Sequence, residues 1–261
     1  MVDVGDLSLH VRRFEGNGPE VLLIHGIGSS SRDFDPVIDG LTTMITPVTV
    51  DLRGHGESDK PDSGYHYEDY ARDIDRLLDA LGMDEPIILG HSLGGILTLW
   101  WAMHHPHSAR ALIIEDSPLR SGEEFRPAFD GWGKLNALPF EAVRAYYGSE
   151  NPHWPEHLVD TRAWDITRTK AEAISELRTS SLANEGLDST DRMREITAPV
   201  LFIHGDSDAG SMVHPDDLAA LPQRLPTVRL ARIAGGGHSM HRSHVAEWLD
   251  VVATFMRDID S

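Results

Sequence analysis

One serine of this chain lies in a pattern that suits a nucleophile. Gly90-His91-Ser92-Leu93-Gly94 follows a short apolar run and leads into the apolar stretch 96–103. This arrangement predicts a buried strand, a sharp turn and a buried helix around Ser92. The flanking glycines relieve the crowding that a strained serine imposes on its neighbours. The backbone N–H of Leu93, at the start of the helix, is then free to bind a developing oxyanion.

A serine hydroxyl is a poor nucleophile until a base takes its proton, and histidine is the usual base. The chain has fifteen histidines, so the choice among them rests on position. His238 follows the glycine run 235–237 and the last predicted strand, and we expect it to reach Ser92. His241 and His244 are predicted to face along the start of the last helix, and His91 to pack or hydrogen-bond within the serine turn.

A second glycine-flanked loop follows the predicted strand 21–24. Gly26-Ile27-Gly28 is part of a dinucleotide-binding fingerprint, with Asp51 at the end of the next strand, but the third glycine is replaced by Ser31. The favoured interpretation is that the N–H of Ile27 is the second oxyanion donor. The polar loop after this next strand contains four charged or titratable residues: Asp51, Arg53, His55 and Asp59. They could form a metal site or an acid/base cluster. The favoured interpretation is that they pair with one another and hold the loop.

Strands and helices alternate over residues 1–117 and 197–261, which predicts one α/β core with a mostly parallel, doubly wound sheet. Alternation stops over 118–196, where prolines separate helix-like pieces, and we interpret this segment as a helical cap or lid inserted over the mouth of the sheet. The cap aromatic residues are predicted mainly to pack within the insertion, with some lining a substrate pocket; the candidates are Trp132, Trp154, Trp164 and Tyr147.

Composition restricts the partners. The net charge is −19 over 261 residues, which argues against nucleic acid and anionic membranes as partners. With no cysteine, the chain has no disulfide, thiolate zinc site or cysteine nucleophile. We see no signal peptide and no apolar run long enough for a membrane span. We therefore expect a cytoplasmic enzyme that acts on a small molecule without a metal or cofactor, in an oligomeric state that the sequence leaves open.

Five segments together resemble the α/β-hydrolase family, in its order and spacing: residues 25–28, 51–58, 90–95, 204–208 and 237–239. The resemblance implies an eight-stranded sheet, a serine nucleophile and a helical cap at 118–196. It also assigns the acid that orients His238 to the loop of Asp208. The alternatives are Asp116 or Glu115, at the end of the strand after the nucleophile's helix, where some family members carry their acid, and finally Asp206.

The predicted function is hydrolysis of a small or medium apolar carboxylic ester or lactone through an acyl-enzyme. Two alternatives keep the same fold: a hydrolase of carbon–carbon bonds or a cofactor-free perhydrolase. A third is a non-catalytic protein that uses the pocket only to hold a ligand. Dehalogenase and epoxide hydrolase chemistry is disfavoured, because those relatives carry an aspartate where this chain has Ser92.

Overall fold

The computed structural model describes residues 1–120, 126–179 and 190–259. Nine strands are found in these ranges: β1 Val2–Asp3, β2 Ser8–Leu9, β3 Val11–Arg13, β4 Glu20–Ile24, β5 Thr46–Val50, β6 Ile87–His91, β7 Ala111–Glu115, β8 Val200–His204 and β9 Val228–Arg232. The main sheet has seven strands in the order β3-β5-β4-β6-β7-β8-β9. Only β3 is antiparallel to its neighbour.

The mostly parallel α/β architecture is confirmed, with seven strands in the main sheet instead of the eight that the resemblance implied. The difference lies at the N-terminus. The first two strands, each of two residues, form a separate antiparallel pair, and the edge strand β3 that follows has three residues.

The described helices are α1 Asp35–Leu41, α2 Tyr67–Leu81, α3 Leu93–His104, α4 Arg126–Asn136, α5 Phe140–Glu150, α6 Glu156–Arg168, α7 Ala171–Thr179, α8 Thr190–Arg194, α9 Pro215–Arg224, α10 Met240–Ser243 and α11 Val245–Ile259. α2 has the bounds that its apolar periodicity predicts. It begins after the capping box of His66 and Asp69 and ends at Gly82, which adopts φ 70°. None of the helices in the described ranges has both the length and the apolar character needed to cross a membrane.

The sheet is covered on both faces, as continuous apolar strands predict. Alternate residues of β4 point to opposite sides: Leu22 and Ile24 join one core cluster, and Val21 and Leu23 the other. The second cluster includes Trp248, which is fully buried on the closing helix α11. This two-sided burial makes the sheet a rigid support for the loops at the carboxyl ends of its strands.

The segment between β7 and β8 contains the helices α4 to α8 and no strand among residues 126–179 and 190–196. Part of the predicted cap, residues 121–125 and 180–189, lies outside the described residues. The helices pack on one another, chiefly α5 on α6 and α4 on α7. That the segment acts as a lid stays a prediction.

Candidate active site

Ser92 stands on a strained turn between β6 and α3. Its φ of 53° and ψ of −117° lie outside the regions that most residues adopt. Two glycines permit the turn. A Cβ at Gly94 would lie 2.1 Å from the carbonyl oxygen of Ile24, and one at Gly90 would lie 2.3 Å from that of Gly94. The sequence pattern therefore has a steric cause, which is the close approach of the serine turn to strand β4.

Backbone contacts hold the strained residue from the neighbouring strand. The N–H of Ser92 donates to the carbonyl oxygen of Glu115 at 3.0 Å. The hydroxyl of Ser117 donates to the carbonyl oxygen of Ser92 at 2.8 Å. Strain of this kind persists only where the surroundings determine it, and it occurs often at active sites. The end of β7 therefore supports the candidate nucleophile directly.

The carboxylate that contacts His238 is Asp116. His238 Nδ1 lies 2.8 Å from Asp116 Oδ2, and the aspartate is completely buried. Because a carboxylate only accepts hydrogen bonds, Nδ1 is the protonated nitrogen, and Nε2 is left as the base. Asp116 Oδ2 also accepts the N–H of Met212 at 2.8 Å, and Oδ1 accepts the hydroxyl of Ser211 at 2.6 Å. These bonds fix the carboxylate toward the imidazole.

The prediction that Asp208 contacts His238 is therefore wrong in this structure, and the alternative acid Asp116 takes its place. Asp208 is exposed in the 3₁₀ turn Ser207–Ala209, and no described residue donates a hydrogen bond to its side chain. Asp206, in the same loop, pairs with Arg232 and accepts the N–H of Gly235. The β7 loop provides the carboxylate although β8 lies between β7 and β9, the strand that precedes His238.

The two predicted oxyanion donors lie on the two loops that meet at Ser92. A Cβ at Gly26 would be 3.1 Å from the Cβ of Ser92, so the loop of Ile27 packs directly on the serine turn. Leu93 is the first residue of α3, where backbone N–H groups have no intrahelical acceptor. Within the described residues, no backbone acceptor takes the N–H of Ile27 or Leu93. Both donors are thus available to an oxyanion beside Ser92.

The charged residues of the loop after β5 hold it through partners outside their own set, so the prediction that they pair with one another is wrong. Asp51 accepts the N–H groups of Ser31 and Glu57 at 2.5 and 2.8 Å. Arg53 forms a two-pronged pair with Asp73 at 2.6 and 2.7 Å. His55 Nδ1 donates to the carbonyl oxygen of Arg53. With its oxygens used in this way, Asp51 is not free to hold a ribose, which removes support for the dinucleotide interpretation.

A buried ionic network centred on His241 lies next to the candidate triad, which consists of Ser92, Asp116 and His238. Both ring nitrogens of His241 face carboxylates, with Nδ1 2.8 Å from Glu115 and Nε2 3.2 Å from Asp33. Arg242 also pairs with Asp33. Burial alone would lower the pKa of His241, but the charges of Glu115 and Asp33 outweigh it and raise the pKa to about 9. Burial would raise the pKa of Glu115, yet the cationic His241 lowers it to about 2.

The prediction that His241 faces along the start of the last helix is wrong, because the buried ring contacts Glu115 at the end of β7 and Asp33 in the loop after β4. His91 extends the network to the candidate base: its Nε2 donates to the carbonyl oxygen of His238 at 2.9 Å, and the two rings are 4.7 Å apart. Asp33 and Arg242 lie in no motif of the sequence, so local pattern gives no sign of their place in this network.

One part of this network, Asp33, His91 and His241, has the spacing of a potential metal site. The charges do not fit this interpretation. Asp33 is already paired with Arg242 and His241, and a protonated imidazole has no lone pair for a metal.

The predicted pocket aromatics occupy different surroundings. Trp132 and Tyr147 are partly buried against the main core cluster. The guanidinium groups of Arg32 and Arg168 both lie over the ring of Trp164, at 4.3 and 5.0 Å from its centroid. Trp164 also lines a surface groove of about 390 Å³ together with Arg32, Phe140, Glu141, Arg144, Asp160 and Thr161. Trp154 is half-buried in the turn that precedes α6.

The chain resembles known proteins over nearly its whole length. A family model described as alpha/beta hydrolase fold matches residues 19–245. The 2-(acetamidomethylene)succinate hydrolase of Mesorhizobium japonicum is 30% identical over 263 residues, covering 98% of this chain and 94% of that protein. A crystal structure of E-2-(acetamidomethylene)succinate hydrolase matches with a TM-score of 0.81 and 28% identity, covering 98% of this chain and 97% of the other.

The enol-lactonase from Burkholderia xenovorans LB400 has a TM-score of 0.77 at 20% identity, with 97% of each chain covered. At that identity the likeness shows the fold alone. This chain belongs to the alpha/beta hydrolase fold family, and it is a hydrolase.

Proposed function

We propose that the protein is a serine hydrolase that cleaves a small or medium carboxylic ester or lactone through an acyl-enzyme. The observation that carries the proposal is the contact between Asp116 and His238, because it orders an imidazole whose second nitrogen is free to act as a base. Ser92, on its strained turn, is the nucleophile. No metal or organic cofactor enters the proposed reaction.

The reaction follows from these roles. Ser92 Oγ attacks the acyl carbon as His238 Nε2 takes its proton, and the oxyanion binds to the N–H groups of Ile27 and Leu93. His238 then gives the proton to the departing oxygen, which leaves Ser92 acylated. A water molecule, activated by His238, cleaves the new ester and restores the serine. Throughout, Asp116 holds the imidazole and stabilises its charged form. An apolar acyl or alkoxy group would pack against the half-buried Trp132 and Tyr147.

A second candidate reaction is hydrolysis of an acetamido group. It is supported by the 30% identity, over 98% of this chain, to a protein named 2-(acetamidomethylene)succinate hydrolase. The same catalytic groups would serve, with His238 protonating a nitrogen in place of an oxygen. The carbon–carbon, perhydrolase and ligand-binding alternatives share the fold, and nothing in the site favours them over ester or amide cleavage.

Covalent labelling tests the nucleophile. An aryl phosphonate should add one adduct to the protein, and peptide mapping should place it on Ser92. Ser92→Ala should abolish labelling and lower kcat by roughly six powers of ten, to the low rate that the remaining groups of the site support. Ser149→Ala is the matched control, because Ser149 is exposed and bonds only its own helix, so that this variant should label and react normally. Full activity in Ser92→Ala would exclude the acyl-enzyme.

A substrate panel then separates the reactions. We expect turnover of 4-nitrophenyl acetate and of a small lactone, while an N-acetyl enamide tests the acetamido candidate. A β-diketone tests carbon–carbon cleavage. Hydrolysis of the diketone with no hydrolysis of the ester, lactone or enamide would overturn the proposal.

A further inference from the structure

Arg162 is an arginine of the helical insertion that reaches the candidate active site. It lies on α6 and is 8% exposed. Its Nη1 donates to the hydroxyl of Ser29 at 2.9 Å and lies 3.3 Å from the carbonyl oxygen of Gly28. The helix packs tightly here, since a Cβ at Gly28 would be 2.7 Å from Ile166 Cδ1. Arg162 thus sits directly on the loop that presents the N–H of Ile27.

The distance to the nucleophile is short. Gly26 packs against Ser92, and Gly28 is two residues further, so the two glycine Cα atoms are at most about 7.6 Å apart. Arg162 Nη1 lies 3.3 Å from the carbonyl oxygen of Gly28, so Ser92 and Arg162 contact opposite ends of the same three-residue loop. A short acyl compound can span this distance with its reacting carbon at Ser92 and its far end at Arg162.

The guanidinium is only partly satisfied by the protein. All the hydrogen bonds of this guanidinium to the protein come from one nitrogen, Nη1, and they include one to Asp165 at 3.1 Å. Among the described residues, no acceptor takes a hydrogen bond from Nε or Nη2, which together carry three N–H groups. Neither nitrogen is among the fully buried atoms that lack a partner, so this edge of the guanidinium keeps some accessible surface that a ligand can reach.

The pairing of Arg162 with the protein leaves one edge of its guanidinium for an anion. Asp165 lies on the side of Nη1, where it also accepts the hydroxyl of Ser30 at 2.5 Å. The ring of Tyr147 flanks the guanidinium at 5.7 Å from its centroid. Elsewhere a chain of net charge −19 repels anions, so a carboxylate group requires a local cation of this kind.

We propose that the free edge of Arg162, formed by Nε and Nη2, binds a carboxylate of the substrate. The planar fork of an arginine matches the two oxygens of a carboxylate. This inference rests on the proposed function and narrows it to acyl compounds that carry a carboxylate at the end away from the reacting carbon. It changes the expectation of a wholly apolar substrate, because the apolar part then lies between Ser92 and Arg162.

Two matched substrates test the inference by kinetics. The monoanion 4-nitrophenyl hydrogen glutarate and the neutral 4-nitrophenyl pentanoate have similar chain lengths and differ in the terminal carboxylate. The wild-type enzyme should prefer the anion in kcat/KM, and Arg162→Met should lower that preference about 10- to 100-fold. A merely structural role would slow both substrates alike and leave their ratio unchanged, which would overturn the inference.

Two further variants serve as controls for this comparison. Arg32→Met removes a cation from an exposed residue that stacks on Trp164, and its substrate ratio should stay that of the wild type. If Arg162→Met fails to fold because Asp165 is left unpaired, the double variant Arg162→Met, Asp165→Asn removes both charges and should show the same loss of preference.

A binding measurement separates this inference from the proposed reaction. In Ser92→Ala, succinate should raise the melting temperature, and the added Arg162→Met substitution should abolish the shift while added Arg32→Met keeps it. This result would support the carboxylate site even if no ester were hydrolysed. The inference would be overturned if succinate raised the melting temperature equally in Ser92→Ala, Arg162→Met and in Ser92→Ala, Arg32→Met, or raised it in no variant. A larger rise with inorganic phosphate than with succinate would also overturn it.

Discussion

Replacing Asp116 by asparagine is the sharpest test of the candidate triad. The buried carboxylate accepts hydrogen bonds from His238 Nδ1 and the N–H of Met212 on Oδ2, and from the hydroxyl of Ser211 on Oδ1. The amide of an asparagine has one acceptor oxygen and one donor nitrogen. Its orientation therefore decides how much activity is lost.

If the amide nitrogen takes the place of Oδ2, it faces two donors, and the imidazole must change tautomer to accept from it. His238 Nε2 then carries a proton and cannot serve as a base, which costs roughly three to four powers of ten in kcat. If the amide oxygen takes that place, the N–H of Met212 stays satisfied and the hydroxyl of Ser211 turns to accept. The tautomer is then kept, and only the negative charge that stabilises the imidazolium is lost.

We therefore expect Asp116→Asn to lower kcat by about 10²- to 10⁴-fold, equivalent to a rise of about 3 to 5 kcal/mol in the barrier. The assay is hydrolysis of 4-nitrophenyl acetate, with the melting temperature measured to show that the fold is kept. Asp208→Asn is the matched control, because Asp208 is exposed and should leave kcat unchanged. A loss in Asp208→Asn with less than a tenfold loss in Asp116→Asn would refute the reasoning.

Two predictions concern stability. The pKa of His241 is raised to about 9 from 6.5, so its contribution to the unfolding free energy is complete below pH 6.5 and is lost as pH rises through 9. Urea unfolding of the wild type should show a decrease of up to about 3 kcal/mol between pH 6 and pH 10. This decrease should be much smaller in His241→Gln. An equal change of the unfolding free energy with pH in both proteins would contradict the stabilising role of the charged His241. Gly94→Ala should destabilise the fold by several kcal/mol, because its Cβ would lie 2.1 Å from a backbone oxygen of β4 that cannot move away cheaply. Gly131→Ala lies on α4 with no atom within 4 Å of the added Cβ, and it should instead stabilise the folded protein by about 0.5 to 1 kcal/mol in thermal unfolding. A loss of stability in Gly131→Ala would show that steric space is not the deciding factor.

The elements of the core could be predicted because their signals are local. Apolar runs of about five residues identify the buried parallel strands, and the bounds of α2 follow from its apolar period and from Gly82. The short N-terminal strands were less predictable. β1 and β2 have two residues each, too few for alternation to show, and their pairing depends on contacts rather than on pattern.

The acid shows where local pattern stops being sufficient. Four carboxylates follow strand ends, and their residue types and local surroundings are alike. Strand order does not separate them, because His238 follows β9, which lies beside β8 and not beside β7. The backbone direction at the end of β7 is decisive: Asp116 adopts φ 44° and contacts His238, while Glu115 points to the opposite side and contacts His241.

What could be read from the residues alone, then, is the serine turn, its glycines, the candidate base and the alternation of the core. These are encoded within a few neighbouring positions, where sterics and hydrophobic burial act locally. The partner of His238, the network around Asp33 and the approach of Arg162 to the loop of Ile27 join residues that are 122, 208 and 134 positions apart. Only the packed structure decides such contacts, because the hydrogen bonds and charges involved act over a few ångströms of space, whatever the distance along the chain.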